Sequence, residues 1–119
     1  MADSARGSDP QVPPESNAAV ALWMRNQGWN VASARWEMDP EIGFHVWQEE
    51  EPPIGRSHAL WVDESMVRRL SAEQLVNVLN REGVAEEIRI SFKVRIQERG
   101  DEYRVSVVPR RSGESRRQD

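Results

Sequence analysis

Two histidines stand where acid–base or metal chemistry is conceivable. His45 and His58 fall on neighbouring candidate strands, with Glu37, Asp39 and Glu49 close in sequence. Mixed imidazole and carboxylate ligands hold a divalent metal when three or four of them converge, but no tight ligand spacing directs such convergence here. If Glu37 lies opposite His45 across a hairpin, the carboxylate could orient the imidazole for proton transfer. A cross-strand ion pair explains the same pairing without catalysis.

Other catalytic patterns are absent from the chain. Ser57 and Ser65 lack the Gly-x-Ser-x-Gly context of a nucleophile elbow. Gly55 and Gly100 are isolated, so no glycine-rich loop can cradle a phosphate. Lys93, the only lysine, falls in an alternating polar position rather than in an apolar stretch that would desolvate its amine. The reading is of a noncatalytic protein with no cofactor and no metal; a small enzyme or metal site around His45 is kept as an alternative.

The elements that must position any working surface follow from patterning. Residues 88 to 97 alternate apolar and polar without a break, from Ile88 through Ile90, Phe92 and Val94 to Gln97, the pattern of a strand with one buried face. Arg99-Gly100-Asp101-Glu102 suits a two-residue hairpin turn, which pairs Ile96 with Val105 and Val94 with Val107. Glu15 to Gln27 carries Ala19, Val20, Trp23 and Met24 at helical spacing and ends at Gly28. A hairpin joins 29–38 to 44–48 through Asp39-Pro40-Glu41-Ile42-Gly43, with Met38 opposite Phe44. That register turns Trp36 and Val46 inward, and Arg35, His45 and Trp47 outward.

Glu49 to Arg56 reads as an exposed loop, and His58 to Val62 as a short third strand. Asp63 caps a helical turn over 64–70, and the capping box Ser71-Ala72-Glu73-Gln74 opens a second helix closed by Gly83. The order α-β-β-β-α-β-β describes a two-layer α+β domain: an antiparallel sheet of about five strands with two helices on one face. That domain spans 15–108. Residues 1–14 and 109–119, rich in Ser, Pro, Gly and charge, are expected to be disordered tails.

With no cysteine, no apolar span and no signal-like start, the reading is a cytoplasmic protein without membrane attachment. The net charge of −4 hides a division: residues 15–62 hold three basic against seven acidic residues, and 99–119 hold six against four. A sheet with helices on one side leaves the other side free. There the expected registers gather Arg35, Trp47, Trp61, Arg89, Lys93, Arg95 and Arg104 as a candidate partner-binding face. Cations with interleaved rings suit an acidic protein segment, a second copy of the chain, or single-stranded nucleic acid. The last is weakened because Phe92 falls on the inner side of its strand and no RNP-like aromatic pattern occurs.

The order of elements over 15–108 is similar to that of small acidic chaperones of bacterial secretion systems, which pair as dimers and bind segments of other proteins. The third helix such chaperones carry has no counterpart after Pro109. The resemblance implies an adaptor or chaperone-like role, in keeping with a protein-interaction module.

Overall fold

The computed structural model describes residues 10–39, 41–52 and 56–108. Residues 1–9 of the expected tail 1–14 and all of the expected tail 109–119 lie outside these residues, as do Pro40 of the first hairpin turn and 53–55 of the expected 49–56 loop. Val12 is half-buried against the core, and Pro14 occupies the first turn of a helix, where its missing N–H leaves no bond unmade.

That helix, α1 (Pro14–Asn26), is followed by β1 (Ala34–Met38), β2 (Gly43–Gln48) and β3 (Ala59–Asp63). Three short helices come next: α2 (Glu64–Arg69), α3 (Ala72–Arg81) and α4 (Val84–Ser91). The chain closes with β4 (Lys93–Arg99) and β5 (Glu102–Val107). The five strands lie side by side in sequence order. The fold is α+β, as the patterning indicates.

Four helices stand where the patterning gives two, and two further features of this layout differ from expectation. First, the alternation from Ile88 does not begin a strand: Val84 and Ile88, four residues apart, are both buried on α4, and the strand starts only at Lys93. Gly83, with φ +71°, turns the chain directly from α3 into α4, a left-handed conformation that glycine adopts freely. Second, β3 and β4 are parallel, with Trp61 beside Arg95, while the other pairs are antiparallel. The connection between them is a crossover through three helices, the kind of link that parallel strands require.

Val20, Ala21, Trp23 and Met24 of α1, Met66 and Val67 of α2, Leu75, Val78 and Leu79 of α3, and Val84 and Ile88 of α4 join one core with Trp47, Leu60, Val62, Val94 and Ile96 of the sheet. All four helices therefore cover the same sheet face. Polar atoms tie the layers together. Asn17 Oδ1 accepts from the Ala34 N–H and from Trp47 Nε1, both at 3.0 Å, and Trp23 Nε1 donates to Asn80 Oδ1 at 2.8 Å. The capping box forms as expected, with Ser71 Oγ accepting from Gln74 N and the Gln74 side chain accepting from Ser71 N. Asp63 caps α2 through Ser65 N.

Candidate interaction face

The β4–β5 hairpin has the expected register: Ile96 meets Val105 and Val94 meets Val107. Strand alternation then directs Lys93, Arg95 and Arg104 to the helix-free face. The first hairpin differs by one residue. Met38 pairs with Gly43 instead of Phe44, so Trp36 lies opposite His45 and Arg35 opposite Val46. A one-residue slip exchanges the faces of a strand. Trp47 and His45 consequently turn into the helix-covered core, where Trp47 is 0% exposed, and Phe44 and Val46 take their place outside.

Trp47 is thus no part of an outer face, and neither is Arg89. Arg89 sits on α4, donating to Glu86 and Gln27 across the helix layer. The remaining residues do come together. Arg35, Val46, Trp61, Arg95 and Ser106 follow one another in register across all five strands. Helix-free does not mean bare, however: Phe44, Val46, Ala59 and Trp61 form a second small core, with Val108 packed against it. Trp61 meets Phe44 edge-on at 5.6 Å and is only 7% exposed.

Charges surround this closed centre. Arg95 Nη1 reaches Asp39 Oδ2 at 3.2 Å, drawing the hairpin loop toward the sheet, while its guanidinium lies 5.8 Å from the Phe44 ring centroid. Arg35 donates to Gln48 Oε1 at 2.8 Å and stands 3.4 Å from Glu37. Lys93, Arg99 and Arg104 are exposed, and among the described residues their side chains make no hydrogen bond or ion pair. Arg99 belongs to this face by the same alternation that includes Lys93 and Arg95; extending the period two residues past Gln97 identifies it from sequence.

The histidines do not converge. His45 pairs with Val62 on β3, while the ladder's continuation sets Glu49 against His58, so the two imidazoles lie near opposite ends of the strands, about 13 Å apart along them. His45 Nε2 is hydrogen-bonded to Glu64 Oε1, not to Glu37, and the other Glu64 oxygen meets Arg68. Glu64 and Arg68 line a groove of about 270 Å³ together with Pro10, Gln11, Pro13 and Val67. His45 itself is buried beneath the Trp36 ring. Among the described residues no group of three or more His, Asp or Glu could hold a metal.

His58 is held differently. Its Nδ1 lies 2.7 Å from Glu49 Oε1, which also accepts the His58 N–H, and Glu49 is buried in spite of its place in the triple-glutamate run. The imidazole is sandwiched between Trp29 at 4.8 Å and Phe92 at 4.7 Å, and Arg56 caps the far side of Phe92 at 4.1 Å. Phe92 has φ +72° and ψ −58°, a positive-φ conformation rare for a bulky residue. Its N–H reaches Ile88 and its carbonyl accepts from Ala59, which fixes the junction between α4 and β4.

Beyond Asp63, Glu98 accepts from Arg69 and from Ser65 Oγ, and Arg69 also donates to Tyr103. The Arg69 hydrogen bond holds the Glu98 carboxyl below the usual range against the opposing effect of burial, with Ser65 adding to the depression. Hydrogen bonds from Arg69 to Glu98 and to Tyr103 in turn hold the Arg69 guanidinium more firmly protonated than usual. No described helix is long and apolar enough to cross a membrane. Compared with known proteins, the chain matches no family model, no curated protein and no solved structure.

Proposed function

We propose that this chain is a noncatalytic interaction module, a small adaptor or chaperone-like protein of the cytoplasm, that grips an extended acidic segment of a partner protein along β4 of the helix-free face. The observation that carries this reading is the set of cations Lys93, Arg99 and Arg104, whose side chains are unpaired among the described residues, standing with Arg95 beside a closed apolar centre. Lys93 and Arg99 are six residues apart on one strand, about 20 Å, a span that suits a peptide of about six extended residues. Charge complementarity of this kind sets orientation and association rate, and weakens as salt rises.

Burial of Trp61 and Trp47 speaks against the alternative of single-stranded nucleic acid, since base stacking needs a ring that a base can reach. Fluorescence anisotropy with a labelled oligo-glutamate peptide and a mixed-sequence DNA oligonucleotide separates the two. The peptide should bind, more weakly at higher salt, and Lys93→Glu with Arg104→Glu should reduce affinity at least about tenfold, or about 1.4 kcal/mol. Peptide binding that the double variant leaves unchanged, or binding of the oligonucleotide alone, would overturn the reading.

A further inference from the structure

Among the described residues β1 is an outer strand of the sheet, with β2 on one side alone. Which of its main-chain groups face outward follows from the ladder. Glu49 N donates to His58 O, so 45, 47 and 49 point their main-chain groups at β3, while 44, 46 and 48 point theirs at β1. Arg35 and Glu37, opposite Val46 and Phe44, use theirs on β2. Ala34, Trp36 and Met38 therefore direct N–H and C=O away from the sheet. The Ala34 N–H confirms the direction, because it leaves the sheet and is taken by Asn17.

We propose that two copies of this chain associate by antiparallel pairing of β1 with β1, about a two-fold axis at Trp36, into one continuous sheet. In this register Trp36 meets Trp36 of the second copy in a hydrogen-bonded pair, and Ala34 meets Met38, whose N–H reaches the Ala34 carbonyl while the Ala34 N–H keeps its bond to Asn17. Arg35 meets Glu37 twice, in the closely spaced non-hydrogen-bonded positions, where Cα atoms stand about 4.5 Å apart. Within one chain the two side chains are already 3.4 Å apart, so the partner's charges extend an existing pair into a ring of four. Met38 and Ile42, 53% and 40% exposed at the hairpin tip, gain cover. An isologous contact of this kind closes on itself and leaves a dimer, not a fibre.

The opposite edge fits less well. On β5, Val108 N donates to Lys93 O, so Tyr103, Val105 and Val107 face outward. A two-fold at Tyr103 pairs Glu102 with Arg104 but sets Val105 against Asp101, and a two-fold at Val105 sets Arg104 against Ser106. Only β1 gives complementary partners at every position.

Light scattering over a concentration series is the test. The 13.7 kDa chain should approach twice that mass as concentration rises. Arg35→Glu should hold it at the monomer mass, and Arg35→Glu combined with Glu37→Arg should restore the dimer, which a variant damaged in folding cannot do. Met38→Pro, which removes an outward N–H and no internal bond, should also give a folded monomer by circular dichroism. A wild type that stays monomeric to about 1 mM, a dimer indifferent to Arg35→Glu, or a charge swap that fails to restore pairing would each overturn the proposal. Lys93→Glu with Arg104→Glu leaves this edge untouched and should leave the dimer intact, so the two proposals fail separately.

Discussion

The Trp36 ring lies directly over Gly43: a Cβ added at that glycine would sit 1.9 Å from Trp36 Cη2. The absence of a side chain at Gly43 is what lets the indole lie along β2 and cover His45, 5.2 Å away. Gly43→Ala must therefore displace the ring, and overpacking of this kind costs about 1 to 3 kcal/mol. Denaturant midpoints should show that loss in the wild-type background and little of it after Trp36→Leu.

Asn17 satisfies two donors with one oxygen, the Ala34 N–H and Trp47 Nε1. Asn17→Leu should cost about 1 to 3 kcal/mol by leaving the Ala34 N–H unmet and Trp47 Nε1 with the Asn17 carbonyl alone, whereas Asn17→Asp keeps the acceptor and should cost less. Urea unfolding of the two variants would rank them.

Phe92 combines a positive-φ backbone with a stacked ring, and the two can be separated. Phe92→Gly relieves the backbone and Phe92→Ala does not, so the glycine variant should be the more stable by about 1 kcal/mol. A double-mutant cycle of His58→Ala with Phe92→Ala should give a coupling of about 0.5 to 1.5 kcal/mol for the stacked rings. Zero coupling would mean that the rings are neighbours without interacting.

Glu98 links stability to acid. Its folded pKa lies below the ordinary 4.5, so its contribution is complete above that value and is lost as pH falls through the depressed folded value. Thermal midpoints measured from pH 6 to pH 3 should fall less steeply for Glu98→Gln than for the wild type. A parallel pair of curves would show that the Arg69 contact does nothing for folding.

Local turn chemistry made the second hairpin, the capping box and the end of α1 legible in the sequence, because each is decided by a few adjacent residues. The first hairpin was legible as a hairpin but not in register. Asp39-Pro40-Glu41-Ile42-Gly43 accommodates a loop of four or five residues, and what chooses between them is the distant fit of Trp36 over Gly43 and of Trp47 onto Asn17. Ile88 shows the same limit. Short apolar alternation is compatible with strand or helix; here Val84 and Ile88 form a buried helical pair, while Ile90, which a strand would have turned inward, is 69% exposed. The candidate face survives with Arg35, Trp61, Lys93, Arg95 and Arg104, and the two residues it loses, Trp47 and Arg89, are those whose placement depended on these two tertiary choices.

The parallel pairing of β3 with β4 bears on how quickly the molecule can form. The strands β1 to β3 and the hairpin β4–β5 are each closed by comparatively short connections, but the seam between them waits on a crossover that runs from Glu64 to Phe92. Closing a long loop costs entropy before any contact repays it, and topologies rich in distant contacts fold slowly. The two strand groups should thus form early and search for each other. Substitutions at Leu60, Val62, Val94 or Ile96, which meet across the seam, should slow folding more than equally destabilising changes within either hairpin.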